Sequence, residues 1–77
     1  MEIRLEYVAM LKTNAPPSGS VMTVQEGITI AALLEQIGIP EKQRGVITPF
    51  VNTAKVSQNH ALQNDDRVFL AMPIGGG

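Results

Sequence analysis

The chain has 77 residues, 44% of them hydrophobic, and a formal net charge of −1. That is one domain with one small core, without the basic surplus that nucleic acid or an anionic membrane calls for. With no cysteine, one histidine and 4% aromatic residues, it has no disulfide, thiol nucleophile or cysteine-ligated zinc, and little for a histidine-rich metal site, a catalytic triad or base stacking.

The start, Met1 to Glu6, is charged and alternating, unlike a signal peptide. No run approaches the ~20 apolar residues that span a bilayer, so a soluble cytoplasmic protein is expected. Residues 2–9 place Ile3, Leu5, Tyr7 and Ala9 on one side and Glu2, Arg4, Glu6 and Val8 on the other. Period two with one charged face predicts a half-buried strand. Leu11 to Ser20 holds Asn14, Pro16, Pro17, Ser18 and Gly19 and reads as a loop. Val21 to Val24 is the return strand, and Gly27 breaks it. Thr29 is a plausible N-cap for a helix whose Ile30, Leu33, Leu34 and Ile37 recur at i, i+3, i+4 and i+7, with Gly38 at its stop and Pro40 beyond. A helix of about nine residues is too short to stand alone, so its apolar stripe must pack on the sheet.

Residues 41–45 read as a polar connection. Val46 to Val51 is apolar but contains Pro49, which points to an edge position or a bulge. Asn52-Thr53-Ala54 is a turn, Lys55-Val56-Ser57 a very short strand, and Asn59 to Asp66 a polar, turn-rich stretch. Arg67 to Met72 is the last strand, with Val68 and Leu70 inward and Arg67, Phe69 and Ala71 outward. Pro73 ends it, and Ile74-Gly75-Gly76-Gly77 is a tail.

One helix must therefore cover one face of a mixed four- or five-stranded sheet. The first and last strands can lie parallel at its centre, with the helix in the crossover. This is an α+β, β-grasp (ubiquitin-like) arrangement, with the domain at residues 1–73 and a flexible glycine tail at 74–77. The tail has no side chains to bury and maximal backbone freedom. It suits a thin probe that delivers a terminal carboxylate into another protein's active site.

Val51-Asn52, Val56, His60-Ala61-Leu62, Asp66, Val68, Pro73 and Gly76-Gly77, together with Thr29, Leu33 and Leu34 in the helix, resemble the MoaD/ThiS group of ubiquitin-like sulfur carrier proteins. The resemblance is best over residues 51–77. It implies that the carboxylate of Gly77 is adenylated by a ubiquitin-activating-like enzyme using Mg-ATP and then becomes a thiocarboxylate, with Gly76 as its flexible neighbour. The chain itself would bind no cofactor and no metal; it is a protein cosubstrate or small synthase subunit, not an enzyme. The long connection from Leu11 to Ser20, and Ala9-Met10-Leu11-Lys12 after the first strand, look more like the molybdopterin synthase small subunit than a thiamin-pathway carrier. Two departures stand out. Asp65 occupies a turn where the family often has glycine, and Asp tolerates the left-handed conformation better than most residues. Arg67 stands where an acidic residue is common.

Alternation places Phe69 opposite Val68 and Leu70, with Val8 pointing the same way. Val8, Phe69 and Ala71 are then expected to form an apolar patch beside the tail that docks the activating enzyme or a large synthase subunit. Met72, Pro73 and Ile74 would guide the tail's exit, and Gly75 would keep it thin. His60 lacks a nucleophile or pocket and reads as a turn histidine. Asp65-Asp66 reads as a solvated turn, since two adjacent carboxylates alone are a poor calcium site. Behind the sulfur carrier stand two other readings, a ubiquitin-like modifier joined to lysines through Gly77 and a plain β-grasp interaction module.

Overall fold

The structure, a computed structural model, describes residues 1–72. Five strands, β1 (Glu2–Tyr7), β2 (Ser20–Thr23), β3 (Thr48–Val51), β4 (Ala54–Lys55) and β5 (Arg67–Ala71), form one mixed sheet in the order β2-β1-β5-β3-β4. The helices are α1 (Ile30–Gln36) and α2 (Glu41–Arg44). β1 and β5 run parallel at the centre, with Leu5 opposite Val68 and Tyr7 opposite Leu70. β2 and β3 flank them antiparallel. This is the β-grasp arrangement that the element order predicts.

The core follows from two periodicities. Ile3, Leu5, Val68 and Leu70 alternate onto one sheet face and are buried. Ile30, Leu33, Leu34 and Ile37 form the facing helix stripe and are buried in the same cluster. Thr29 caps α1, its Oγ1 accepting from the Ala32 N–H at 3.1 Å. At the other end Gly38 has φ 76°; its N–H donates to Glu35 O at 3.1 Å and the Ile39 N–H donates to Leu34 O at 3.0 Å. That paired pattern is a Schellman motif, and buried Ile39 supplies its apolar contact. The helix thus begins and stops where its capping residues predict.

Three expectations are corrected. Residues 41–44 form one turn of helix rather than an irregular connection. That turn buries no residue, so it has no apolar stripe to announce it. β1 ends at Tyr7, two residues before the alternation does. The chain turns there, with the Leu11 N–H donating to Val8 O at 3.1 Å. Leu11 is consequently buried in the core, and Val8 is half-buried against it rather than displayed on the outer face. Finally, Asp66 is buried, whereas a solvated position was expected.

A further correction concerns Pro49, which lies in an internal, unbulged strand rather than at an edge or a bulge, yet its chemistry is respected. In an antiparallel ladder a residue's N and O point to the same side. Pro49 O accepts from the Val56 N–H at 3.1 Å, so the missing N–H faces the two-residue edge strand β4 rather than the central strand β5.

Candidate functional docking face

The sheet face opposite α1 is built by the outward residues of the central strands. Cross-strand pairing sets Glu6 beside Phe69, Phe69 beside Phe50, and Phe50 beside Lys55. The two rings are 6.3 Å apart, centroid to centroid, and tilted by 39°. That is within the range of favourable aromatic pairs. Phe69 is 39% exposed, a large apolar area for the middle of a sheet. Around the rings lies a solvent-open groove of about 620 Å³, lined by Glu6, Phe50, Asn52, Thr53, Arg67 and Phe69.

One end of the groove is fixed by a polar cluster. Asn52 and Thr53 have φ 50° and 73°, the two positive angles of a type I′ hairpin turn between β3 and β4. Asn visits this region readily, whereas β-branched Thr does so only under constraint. The constraint comes from Asn52. Its N–H donates to Arg67 O at 2.8 Å, its Oδ1 accepts from the Arg67 N–H at 3.0 Å, and its Nδ2 donates to Asp66 Oδ1 at 3.0 Å. The second carboxylate oxygen, Asp66 Oδ2, accepts from the Gln63 N–H at 2.8 Å. Asp66 is thus a structural anchor that ties the turn to the start of β5 and so places Arg67 at the groove. Its neighbour Asp65 has φ 69° and takes the left-handed role expected of it.

The outward Arg67 side chain is 68% exposed and meets Glu6 at 3.9 Å, the one ion pair among the described residues. Across the β1–β5 pair Arg67 stands in register with Arg4, whose guanidinium donates to Gly19 O at 3.0 Å.

Of the sequence-predicted partner-binding residues, Phe69 lies at the centre of this face. Ala71 follows on the same side of β5, half-buried and opposite Thr48. Val8 does not join them. Met72 is half-buried against the core. Pro73, Ile74, Gly75, Gly76 and Gly77 lie outside the described residues. Phe50 is the residue that alternation did not bring to attention. It falls in the apolar run around Pro49, and period two does place it opposite Pro49 and Val51, but its meeting with Phe69 depends on long-range register. His60 is half-buried, and its backbone O accepts from the Ile30 N–H at 3.0 Å. Among the described residues no group of three or more His, Asp or Glu could hold a metal ion, and no helix is long and apolar enough to cross a membrane.

A model of the ThiS family matches residues 5–77. Among solved structures, the crystal structure of SAMP1 from Haloferax volcanii is similar over 100% of both chains, with a TM-score of 0.69 at 15% sequence identity, which shows a shared fold. No curated protein sequence matches the chain.

Proposed function

Because this chain belongs to the ThiS family, we propose that it is a ubiquitin-like sulfur carrier that works through a thiocarboxylate on Gly77. The observation that carries the reading is the union of two features on one strand. β5 bears the exposed aromatic face and continues in sequence to Gly75-Gly76-Gly77.

The chemistry suits a chain with almost no catalytic side chains. A carboxylate resists nucleophiles until it is activated. In the proposed sequence an oxygen of the Gly77 carboxylate attacks the α-phosphorus of Mg-ATP held by an adenylating enzyme, and pyrophosphate leaves. Hydrosulfide from the sulfur source then attacks the acyl carbon, the acyl–AMP bond breaks, AMP departs with its electron pair, and loss of the S–H proton leaves the thiocarboxylate. The thiocarboxylate carries sulfur to an acceptor enzyme. This chain contributes the docking face, the strand that aims the tail, and a tail slim enough to enter a channel that a Cβ would block.

Molybdopterin synthesis is the proposed destination, with a large synthase subunit as acceptor. The long β1–β2 connection supports it over the thiamin pathway. That connection is an organised structure: Thr13 Oγ1 and the Asn14 N–H both donate to Ile37 O at 2.7 Å. The reading requires a free carboxylate on Gly77. The test is intact-mass measurement after incubation with the adenylating enzyme, Mg-ATP and a sulfur source. The expected result is the mass gain of one oxygen replaced by sulfur, located to Gly77 by fragmentation. Conjugates to lysine that disappear when Gly77 is deleted would instead identify a protein modifier.

A further inference from the structure

We propose that Arg67 is the specificity-determining residue of the docking face, and that the groove receives an apolar side chain flanked by an Asp or Glu on the activating enzyme. This rests on the carrier reading above and adds the chemistry of the partner.

Three observations carry it. First, the groove joins aromatic rings to charged and polar side chains. Phe50 and Phe69 form its apolar centre, and Arg67 stands beside Phe69 with 68% of its side chain exposed. An apolar anchor packed against the exposed side of the ring pair brings its neighbouring residue to the guanidinium. Second, Arg67 is under-used. A guanidinium offers five N–H donors in a fork suited to carboxylates, yet among the described residues its one ionic contact is to Glu6 at 3.9 Å, too long for a hydrogen bond. Third, Arg4 and Arg67 are Cα partners on adjacent strands and share the outward face. Like charges directly opposite one another are unfavourable, and an incoming carboxylate relieves the repulsion. Arg4 is already turned to Gly19 O, so Arg67 is the arginine left to recognise a partner. The overall charge of −1 makes this a local feature of one face rather than a basic protein's general attraction.

The proposal makes Glu6 a competitor. Its carboxylate holds Arg67 weakly in the free protein and must yield it on binding. Removing Glu6 should therefore help a partner that brings a carboxylate and harm one that brings a cation.

The test is the affinity of the full chain for the adenylating enzyme, measured by titration calorimetry without ATP at low and high salt, alongside the thiocarboxylation assay. Arg67→Gln is expected to weaken binding about fivefold and Arg67→Glu by roughly thirtyfold or more, both with a shallower salt dependence. Glu6→Gln is expected to strengthen binding by about twofold. Phe69→Ala is expected to weaken binding without changing the salt slope. Arg67 is exposed and the Glu6 side chain is 44% exposed, and matching melting curves would establish that their variants fold. If wild-type protein is thiocarboxylated but Arg67→Glu binds unchanged, or Glu6→Gln weakens binding, the proposal is overturned and the carrier reading stands. Failure of the wild type to bind or react removes the carrier reading itself. Self-association abolished by Phe69→Ala, with enzyme binding indifferent to Arg67, would assign the groove to a second copy of the chain and also overturn it.

Discussion

Thr53 sits at φ 73°, where its branched Cβ crowds the backbone, and its exposed side chain makes no hydrogen bond among the described residues. Replacing it with glycine creates the Asn-Gly pair that type I′ turns favour. Relief of the left-handed strain outweighs the extra unfolded-state entropy, so Thr53→Gly is expected to stabilise the domain by about 1 kcal/mol in urea unfolding. Asp66 is the opposite case. Its carboxylate accepts from both Asn52 Nδ2 and the Gln63 N–H in a buried site. Asp66→Ala leaves both donors without an acceptor and is expected to cost about 2–3 kcal/mol, with Asp66→Asn in between. A urea midpoint unmoved by Asp66→Ala would refute the anchor role. Composition alone makes Asp65-Asp66 look solvated, because adjacent acids in a turn-rich stretch usually are. What satisfies the buried Asp66 carboxylate is in part Asn52, which reaches it from the β3–β4 turn. The sequence letters of either segment do not announce that meeting. Asp65 was legible, since its left-handed angle is a local property of turn and residue type.

At the scale of elements, legibility tracked the locality of the cause. The α1 stripe, the Thr29 cap and the Gly38 stop are all written within a few residues, and all three appear in the structure. The β1 alternation is equally clear, but its end is not. Val8 continues the pattern in sequence and leaves it in space, because burial of Leu11 turns the chain. α2 was illegible because one polar helical turn lacks a periodic signal. Gly38 joins two elements. A Cβ placed there lies 2.5 Å from Asn14 Nδ2, on the β1–β2 connection that hydrogen-bonds to Ile37 O. Gly38→Ala is therefore expected to cost about 1–2 kcal/mol from backbone strain, plus the displacement of Asn14. Hydrogen exchange should show the Asn14 N–H losing protection. Adding Asn14→Ala should recover only the steric part, leaving the strain in place.

For the molecule as a whole, the proposed division of labour separates stability from function. The core belongs to Ile3, Leu5, Val68, Leu70 and the α1 stripe. The reactive group is proposed to lie at Gly77, beyond all of them. Deleting Gly76-Gly77 is expected to shift unfolding by less than ~0.5 kcal/mol. The same deletion should abolish thiocarboxylation, as read by intact mass. The sheet order adds a constraint of another kind. β5 is the last described strand in the chain but the third of five in space, inserted between β1 and β3. Without it, β1 with β2 and β3 with β4 are two separate ribbons that share no hydrogen-bonded edge. Pairings between distant parts of a chain form slowly and late. During synthesis, Ile3 and Leu5 must wait for Val68 and Leu70, so a nascent chain halted before Arg67 has no complete sheet to fold into. The sheet and its native face are thus completed only by the strand that joins the two ribbons.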